Sequence, residues 1–217
     1  MEELGPGALA VLDALFDREL ALEPVRASLI AAAACLVGGW RGGGSLFLCG
    51  NGGSHADACH IAGELVKSYV LARPLPAARQ AALAGLPGGG SLARDLQAGV
   101  PAVVLGANAA ATSAIENDLP RPGLGLAQEL NALGRSGDVL LAISTSGRSR
   151  NVVDAAVVAR SLGMAVVALT GTGPSELADV ADVVIAAPGG STDRIQESHR
   201  LLYHALCEAL EVELFGV

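Results

Sequence analysis

Aromatic residues are nearly missing from this chain: they make up 3 % of its 217 residues, with a single tryptophan. The core must therefore be built from Ala, Val, Leu and Ile, and apolar residues at 51 % are ample for one sizeable core. Charge is scarce too, at 17 %, and basic charge is the scarcer sign, with 14 Lys and Arg against 22 Asp and Glu and a net charge of -8. An acidic surface repels phosphate backbones, which excludes broad nucleic-acid binding. Any phosphate held here is held mainly by neutral donors. The four cysteines (Cys35, Cys49, Cys59, Cys207) form no CxxC pair. Their apolar surroundings point to buried thiols in a reducing cytoplasm, not to disulfides. Long hydrophobic runs are missing despite a mean hydropathy of +0.47. The longest, Ala27–Trp40 between Arg26 and Arg41, falls short of the ~20 residues that span a bilayer and reads as a buried helix. The acidic start Met1-Glu2-Glu3 lacks the basic region of a signal peptide. There is no membrane segment in this reading, no Walker A motif, no GxGxxG and no repeat of fixed period. The expectation is one soluble cytoplasmic domain over residues 1–217, with an apolar surface suited to an oligomer.

Apolar periodicity predicts one or two helices over residues 7–37, within an N-terminal helical region of residues 1–40, closed by a turn at Gly38–Gly44. Ser45–Cys49 is a continuous apolar run, as in a strand buried on both faces, followed by the loop Gly50–Ser54 and a helix from about His55 to Tyr69. Residues 71–100 hold three of the ten prolines and the run Gly88-Gly89-Gly90, and read as an insertion-like excursion with one short helix. Strands follow at Ala102–Leu105, Val139–Ser144, Met164–Thr170 and Asp182–Ala187. Helices are predicted at Gly125–Leu133, Asn151–Leu162, Ser175–Val180 and Asp193–Leu214. Buried strands alternating with helices imply an α/β fold with a parallel sheet and helices on both faces. Ligands bind such sheets at the carboxyl ends of the strands.

Two loops share one design. Gly50–Ser54 and Ser144–Ser149 each follow a strand, open a helix, and are rich in Gly, Ser and Thr. Free N–H groups at a helix start, with hydroxyls beside them, make a neutral phosphate cradle; the bland alternative is two ordinary capped turns. All four histidines fall in two clusters, His55 with His60 and His199 with His204. His60 and Glu64 lie one helical turn apart on one face, which suits a divalent metal or an acid–base pair; the alternative is a weak surface ion pair. Gln196 and His204 lie eight residues apart, about 12 Å along a helix. If both act, at least one serves a site completed by another chain. Asp193-x-x-Gln196 reads equally as a capping box, and His199 as a solvated position.

The run Cys49-Gly50-Asn51-Gly52-Gly53-Ser54-His55-Ala56-Asp57-Ala58-x-His60-x-Ala62-x-Glu64-Leu65 resembles the signature of phosphoheptose isomerases, members of the SIS-domain family. Asn117-Asp118, Gly137–Ser149 and Asp193-Arg194-Ile195-Gln196-Glu197-x-His199, with His204 beyond, match that family in order. The resemblance covers residues 40–70 and 112–215. It implies a flavodoxin-like three-layer sandwich around a five-stranded parallel sheet, and a homotetramer with active sites between subunits. The implied reaction converts sedoheptulose 7-phosphate to D-glycero-D-manno-heptose 7-phosphate, in heptose synthesis for lipopolysaccharide or other surface glycans. It also implies one zinc ion per site, with His60, Glu64, Gln196 and His204 as ligands. Ser54, Ser144, Thr145 and Ser149 match phosphate binders, and Asn51, Asp118 and Asp193 match sugar contacts. Gly52, Gly53, Asn117, Ser146 and Gln196 complete the candidate substrate set.

The resemblance assigns Glu64 as base and His204 as acid for proton transfer through an enediol. Neighbouring groups are expected to tune both toward neutral pH. The chain departs from the family in three places. Ser68 replaces a basic residue, with Lys67 beside it about 100° round an ideal helix. Arg148 replaces an Asn in the second loop, and residues 71–100 are longer. Two other functions share these motifs: a tetrameric scaffold of the type that associates with bacterial replication initiators, and an isomerase for a different sugar phosphate.

Overall fold

The computed structural model describes residues 3–216, so Met1 and Glu2 of the acidic start lie outside the described residues. Five strands form one all-parallel sheet: β1 (Leu46–Cys49), β2 (Ala102–Val104), β3 (Val139–Ser144), β4 (Ala165–Gly171) and β5 (Val183–Ala187). Their order is β2-β1-β3-β4-β5. Every residue of β1 and β3 is buried, which explains why they read as continuous apolar runs.

Alternate residues divide the core between two faces. Leu46, Leu48, Leu141, Ile143, Val167 and Leu169 face α1 (Pro6–Arg18), α2 (Arg26–Arg41), α3 (Gly53–Val66) and the last helix, α10 (Thr192–Phe215). Phe47, Cys49, Leu140, Ala142, Val166 and Ala168 face α7 (Gly125–Leu133), α8 (Arg150–Ser161) and the short α9 (Glu176–Val180). The three layers are the flavodoxin-like arrangement that the alternation and the resemblance implied.

Four readings are corrected. Helix α2 runs on to Arg41 through the expected turn at Gly38; the glycine at residue 39 serves packing instead, since a side chain there would run into Val139 of β3. Residues 71–100 hold two helices, α4 (Ala77–Ala84) and α5 (Gly89–Asp95), which pack on each other. The legs of this excursion are joined by a bridge between Pro74 and Gln97. A further helix, α6 (Ala109–Asp118), escapes the periodicity because it buries no residue; its one signal is the cap Asn108, whose side chain accepts from Ala111 N at 3.2 Å. The cysteines are not uniformly buried: Cys49 and Cys207 are, Cys35 is half-buried and Cys59 is exposed on α3. Burial pushes the Cys49 and Cys207 thiols up to about 12.

A 3-10 turn (Leu20–Val25) leads directly into α2, and together they form 22 helical residues of mean hydropathy 1.7, long and apolar enough to cross a membrane by length and composition. Leu29, Ala32, Ala33, Leu36 and Val37 of this stretch are buried in the core. Its other face, with Ala27, Ile30 and Ala31, lines an apolar groove of about 620 Å³ shared with Leu4 and Leu9 of the first helical region.

Candidate active site

Strands β1 and β3 are neighbours, yet the chain leaves β1 toward one edge of the sheet and β3 toward the other. A crevice opens at their carboxyl ends. The two Gly- and Ser-rich loops meet there, each ending in a helix whose first N–H groups have no partner within the helix. The side chains of Asn51 and Asn151 exchange two hydrogen bonds, of 2.9 and 2.8 Å, and tie the loops together. Ser144 Oγ donates to Ser149 Oγ at 3.1 Å, and Ser54 and Ser144 are buried at the base of the loops. Gly147 turns the second loop with φ of +62°, a conformation that disfavours any other residue. A cavity of about 300 Å³ opens over this edge, lined by Asn51, Gly52, His55, Thr112, Glu116 and Asn151 among others.

Of the remaining candidates near the cradle, Ser146 is exposed and accepts from Arg148 N at 3.2 Å, while the Arg148 side chain turns away toward Pro174 O. Asn117 and Asp118 bond to each other at the exposed end of α6, outside the cavity lining. Their neighbour Glu116 does line it and holds Gly123 N and Gly125 N at 2.7 and 3.0 Å.

The reactive candidates lie along α3 and α10, which run side by side in the same direction. Gly53 meets Gln196, Asp57 and His60 meet Tyr203, and Tyr69 meets Glu211. A Cβ at Gly53 would stand 2.6 Å from Gln196 Nε2, so glycine is what lets the two helix starts approach. His60 Nε2 lies 3.2 Å from Glu64 Oε1, and His60 Nδ1 lies 3.1 Å from the Tyr203 hydroxyl. That hydroxyl donates to Asp57 Oδ1 at 3.2 Å. With the Tyr203 proton committed to a carboxylate, His60 Nδ1 is assigned the ring proton and Nε2 turns its lone pair toward Glu64. Two acceptors so placed repel unless a proton or a cation stands between them. The His204 ring centre is 5.0 Å from that of His60, and its other side stacks on Tyr69 at 6.1 Å with 22° between planes.

The charges are tuned differently from expectation. The Lys67 ammonium, 2.9 Å from Glu64 Oε2, holds the Glu64 carboxyl below the ordinary carboxylate value instead of raising it toward neutrality. Lys67 reaches Glu64 because α3 ends at Val66; Lys67 has extended backbone, φ −133° and ψ 174°, so the ideal-helix angle does not apply. Burial, and then the neighbouring His60, push His204 below the usual histidine value, leaving a neutral imidazole at pH 7. Burial and then Asp57 push Tyr203 up to about 12.

Gln196 stays near the start of α3 and opens, with Asp193, onto a shallow groove shared with Glu197 and Arg200. Within one chain it does not join His60, Glu64 and His204. Among the described residues no three His, Cys, Asp or Glu side chains converge as a group that could hold a metal. The capping-box alternative fails: the residue preceding α10 is Ser191, and its hydroxyl bonds to Asp193, which holds that carboxyl below its ordinary value. His199 is not solvated. It is fully buried, and its Nε2 lies 3.0 Å from Thr170 O. Asp57, Tyr203 and Asn151 were not singled out from the sequence; the hydroxyl, carboxylate and amide acquire partners only when three distant segments pack.

The SIS domain family profile matches residues 86–171. A phosphoheptose isomerase of Mycobacterium tuberculosis is 37 % identical over 215 residues, covering 99 % of this chain and 95 % of that protein. The phosphoheptose isomerase of Sulfurimonas denitrificans is also 37 % identical, over 82 % of this chain and 78 % of its own. Among solved structures, the Neisseria gonorrhoeae phosphoheptose isomerase superposes with a TM-score of 0.71 at 32 % identity, covering 89 % of this chain and 90 % of that one. The Francisella tularensis enzyme gives 0.71 at 27 %, covering 93 % and 97 %. Fold, motif order and full-length identity agree, and the chain belongs to the phosphoheptose isomerase family.

Proposed function

We propose that this protein is the isomerase that interconverts sedoheptulose 7-phosphate and D-glycero-D-manno-heptose 7-phosphate, supplying heptose for lipopolysaccharide or other surface glycans in the cytoplasm. The observation that carries this reading is that an ionised carboxylate, Glu64, on the helix that leaves a neutral phosphate cradle, lies close to a neutral imidazole, His204, on the neighbouring α10. The Glu64 carboxylate takes a proton from C1 of the ketose, and the freed electron pair forms the C1–C2 double bond. The C2 oxygen takes a proton from His204. The enediol then collapses: the C1 hydroxyl returns a proton to His204, Glu64 returns its proton to C2, and the aldose leaves. The two loops hold the phosphate through backbone N–H groups and the hydroxyls of Ser54, Ser144, Thr145 and Ser149, as an acidic chain requires.

The donor set suits a zinc ion. His60 Nε2 and Glu64 Oε1 sit side by side as two facing lone-pair donors, with His60 oriented through Nδ1 by Tyr203 and Asp57. His60, Glu64 and His204 of one copy with a Gln196 from another would hold it, and when bound it would polarise the substrate oxygens as a Lewis acid.

Geometry supports a homotetramer with shared sites. Ten residues of α3 separate Ser54 from Glu64, about 15 Å along the axis. A seven-carbon chain with its phosphate ester spans roughly 10 Å from C1 to phosphorus, at ~1.5 Å per bond. Side-chain reach and hydrogen-bond lengths bridge that difference, so the stronger support is Gln196, which does not join His60, Glu64 and His204 within one chain but can complete their site from another copy, whose cradle then flanks the same substrate. The apolar groove along α1 and α2 is a surface for such an assembly. A coupled assay tests the reading: turnover of sedoheptulose 7-phosphate, abolished in Glu64→Gln, supports it. Failure of turnover with binding to a replication initiator would establish the scaffold instead, and turnover of another ketose phosphate alone would change the substrate.

A further inference from the structure

The most deeply buried charges in the molecule lie just beyond Glu64. Arg73 and Glu211 are paired at 2.5 Å, with both side chains wholly excluded from solvent. A buried ion pair is a poor source of stability, because desolvation offsets the attraction, so what else these groups hold is informative. Arg73 donates from Nη1 to Leu65 O at 2.9 Å and from Nη2 to Glu64 O at 3.1 Å. These are carbonyls of the last turn of α3, which lack helical partners. Glu211 accepts from the backbone N–H groups of Tyr69, Val70 and Leu71 at 2.8, 2.6 and 2.9 Å. Burial raises the Glu211 carboxyl, but these N–H groups and Arg73 outweigh it and hold it below its ordinary value.

Resting on the isomerase reading, we infer that Arg73 and Glu211 are positioning residues for the reaction. Together they form a clamp that fixes the backbone of Glu64 from one side and the Tyr69 ring stacked on His204 from the other. Neither touches the cavity over the cradle. The clamp also spans the piece of chain that carries Lys67, the partner of Glu64. Base, its cationic neighbour and the wall behind the acid are thus set by one ion pair. The guanidinium is required as a fork: an ammonium at residue 73 could meet Glu211 but not both carbonyls at once. Nothing in the clamp reaches the phosphate loops, so its loss acts on turnover and leaves substrate capture in place.

Arg73→Lys and Glu211→Gln test this, with Leu12→Ala as a core variant remote from the site. In folded protein, kcat for sedoheptulose 7-phosphate should fall at least ~10-fold, since displacements near 1 Å in positioned groups cost up to ~100-fold. KM should stay within about threefold, and Leu12→Ala should keep its kcat per folded molecule. Hydrogen exchange at the Tyr69, Val70 and Leu71 amides should accelerate selectively in Glu211→Gln. The His204 ring resonances should move as Tyr69 leaves them. A folded variant with kcat within twofold of the parent, or a loss carried by KM, overturns the inference. If the parent itself does not turn over this substrate, the isomerase reading fails separately, and exchange and resonances decide the clamp: movement supports it, no change overturns it. If neither variant folds, the parent decides, because those three amides must be protected well beyond their exposed neighbours, and free exchange refutes the clamp.

Discussion

Replacing His199 by alanine tests how the last helix supports the phosphate cradle. The imidazole Nε2 donates to Thr170 O, and the N–H of the same peptide, on Gly171, donates to Thr145 O at 2.9 Å. One peptide group therefore links α10 to the second loop. His199→Ala removes the second donor to Thr170 O, whose remaining partner is the strand ladder to β5, at a cost of about 0.5–1.5 kcal/mol. It also opens a cavity of roughly 60 Å³, worth about 1.5 kcal/mol at ~24 cal/mol per Å³. The sum is ~2–3 kcal/mol, read as a shift of the urea midpoint at pH 8. The same residue carries a pH signature. Burial lowers its folded-state pKa, so below the unfolded value near 6.5 the unfolded chain binds the proton more readily than the folded one. Stability is then complete above about pH 6.5 and falls as the pH drops, by at most ~1.4 kcal/mol per pH unit for one proton. The variant, lacking the group, should show a correspondingly flatter loss between pH 7 and 5.5. It should also show a raised KM, because the peptide whose N–H holds Thr145 O loses its support from α10. Parallel pH profiles for parent and variant, or a midpoint shift worth under 1 kcal/mol, would show that His199 does not support the second loop.

Glu64→Gln and His204→Ala should each lower kcat at least ~10²-fold while melting near the parent temperature, since neither is a core residue; full activity in Glu64→Gln would remove the proposed base. Ser149→Ala loses the acceptor of the Ser144 hydroxyl and should act chiefly on KM, checked by saturation kinetics. Replacing residues 75–96 with a short linker should leave the melting temperature within a few degrees. Helices α4 and α5 pack on each other, and only Gly89 and Ala93 in them are buried. A collapse of the fold would show that the excursion supports the body.

Much of the architecture was legible because buried parallel strands write themselves as uninterrupted apolar runs. Val139–Ser144 and Gly125–Leu133 fall where the sequence places them. Helices that lean on little else were not legible: α6 has no apolar stripe, and α4 and α5 hide among prolines and glycines. At the site, local spacing was enough for His60 and Glu64, one turn apart, and the two loops announced themselves by composition. Tertiary neighbours were not readable. Lys67 departs from the helix and comes back to Glu64, His199 is buried against the end of β4, and Tyr203 joins Asp57 to His60 across 143–146 residues of sequence. Periodicity assigns a face to a residue, but only packing assigns its partner.

In the proposed assembly, a cradle from one copy and the Glu64–His204 pair from another make one site. Mixing two complementary variants, a cradle variant (Ser144→Ala with Ser149→Ala) and Glu64→Gln, unfolded together, refolded as mixed oligomers and assayed at substrate far below the KM of the cradle variant, shows whether this is so. Random assembly should restore about a quarter of parental turnover, because a site is whole when an intact cradle from one chain meets an intact carboxylate from the other. Activity no greater than the sum of the two variants alone would show that each site is built within one chain.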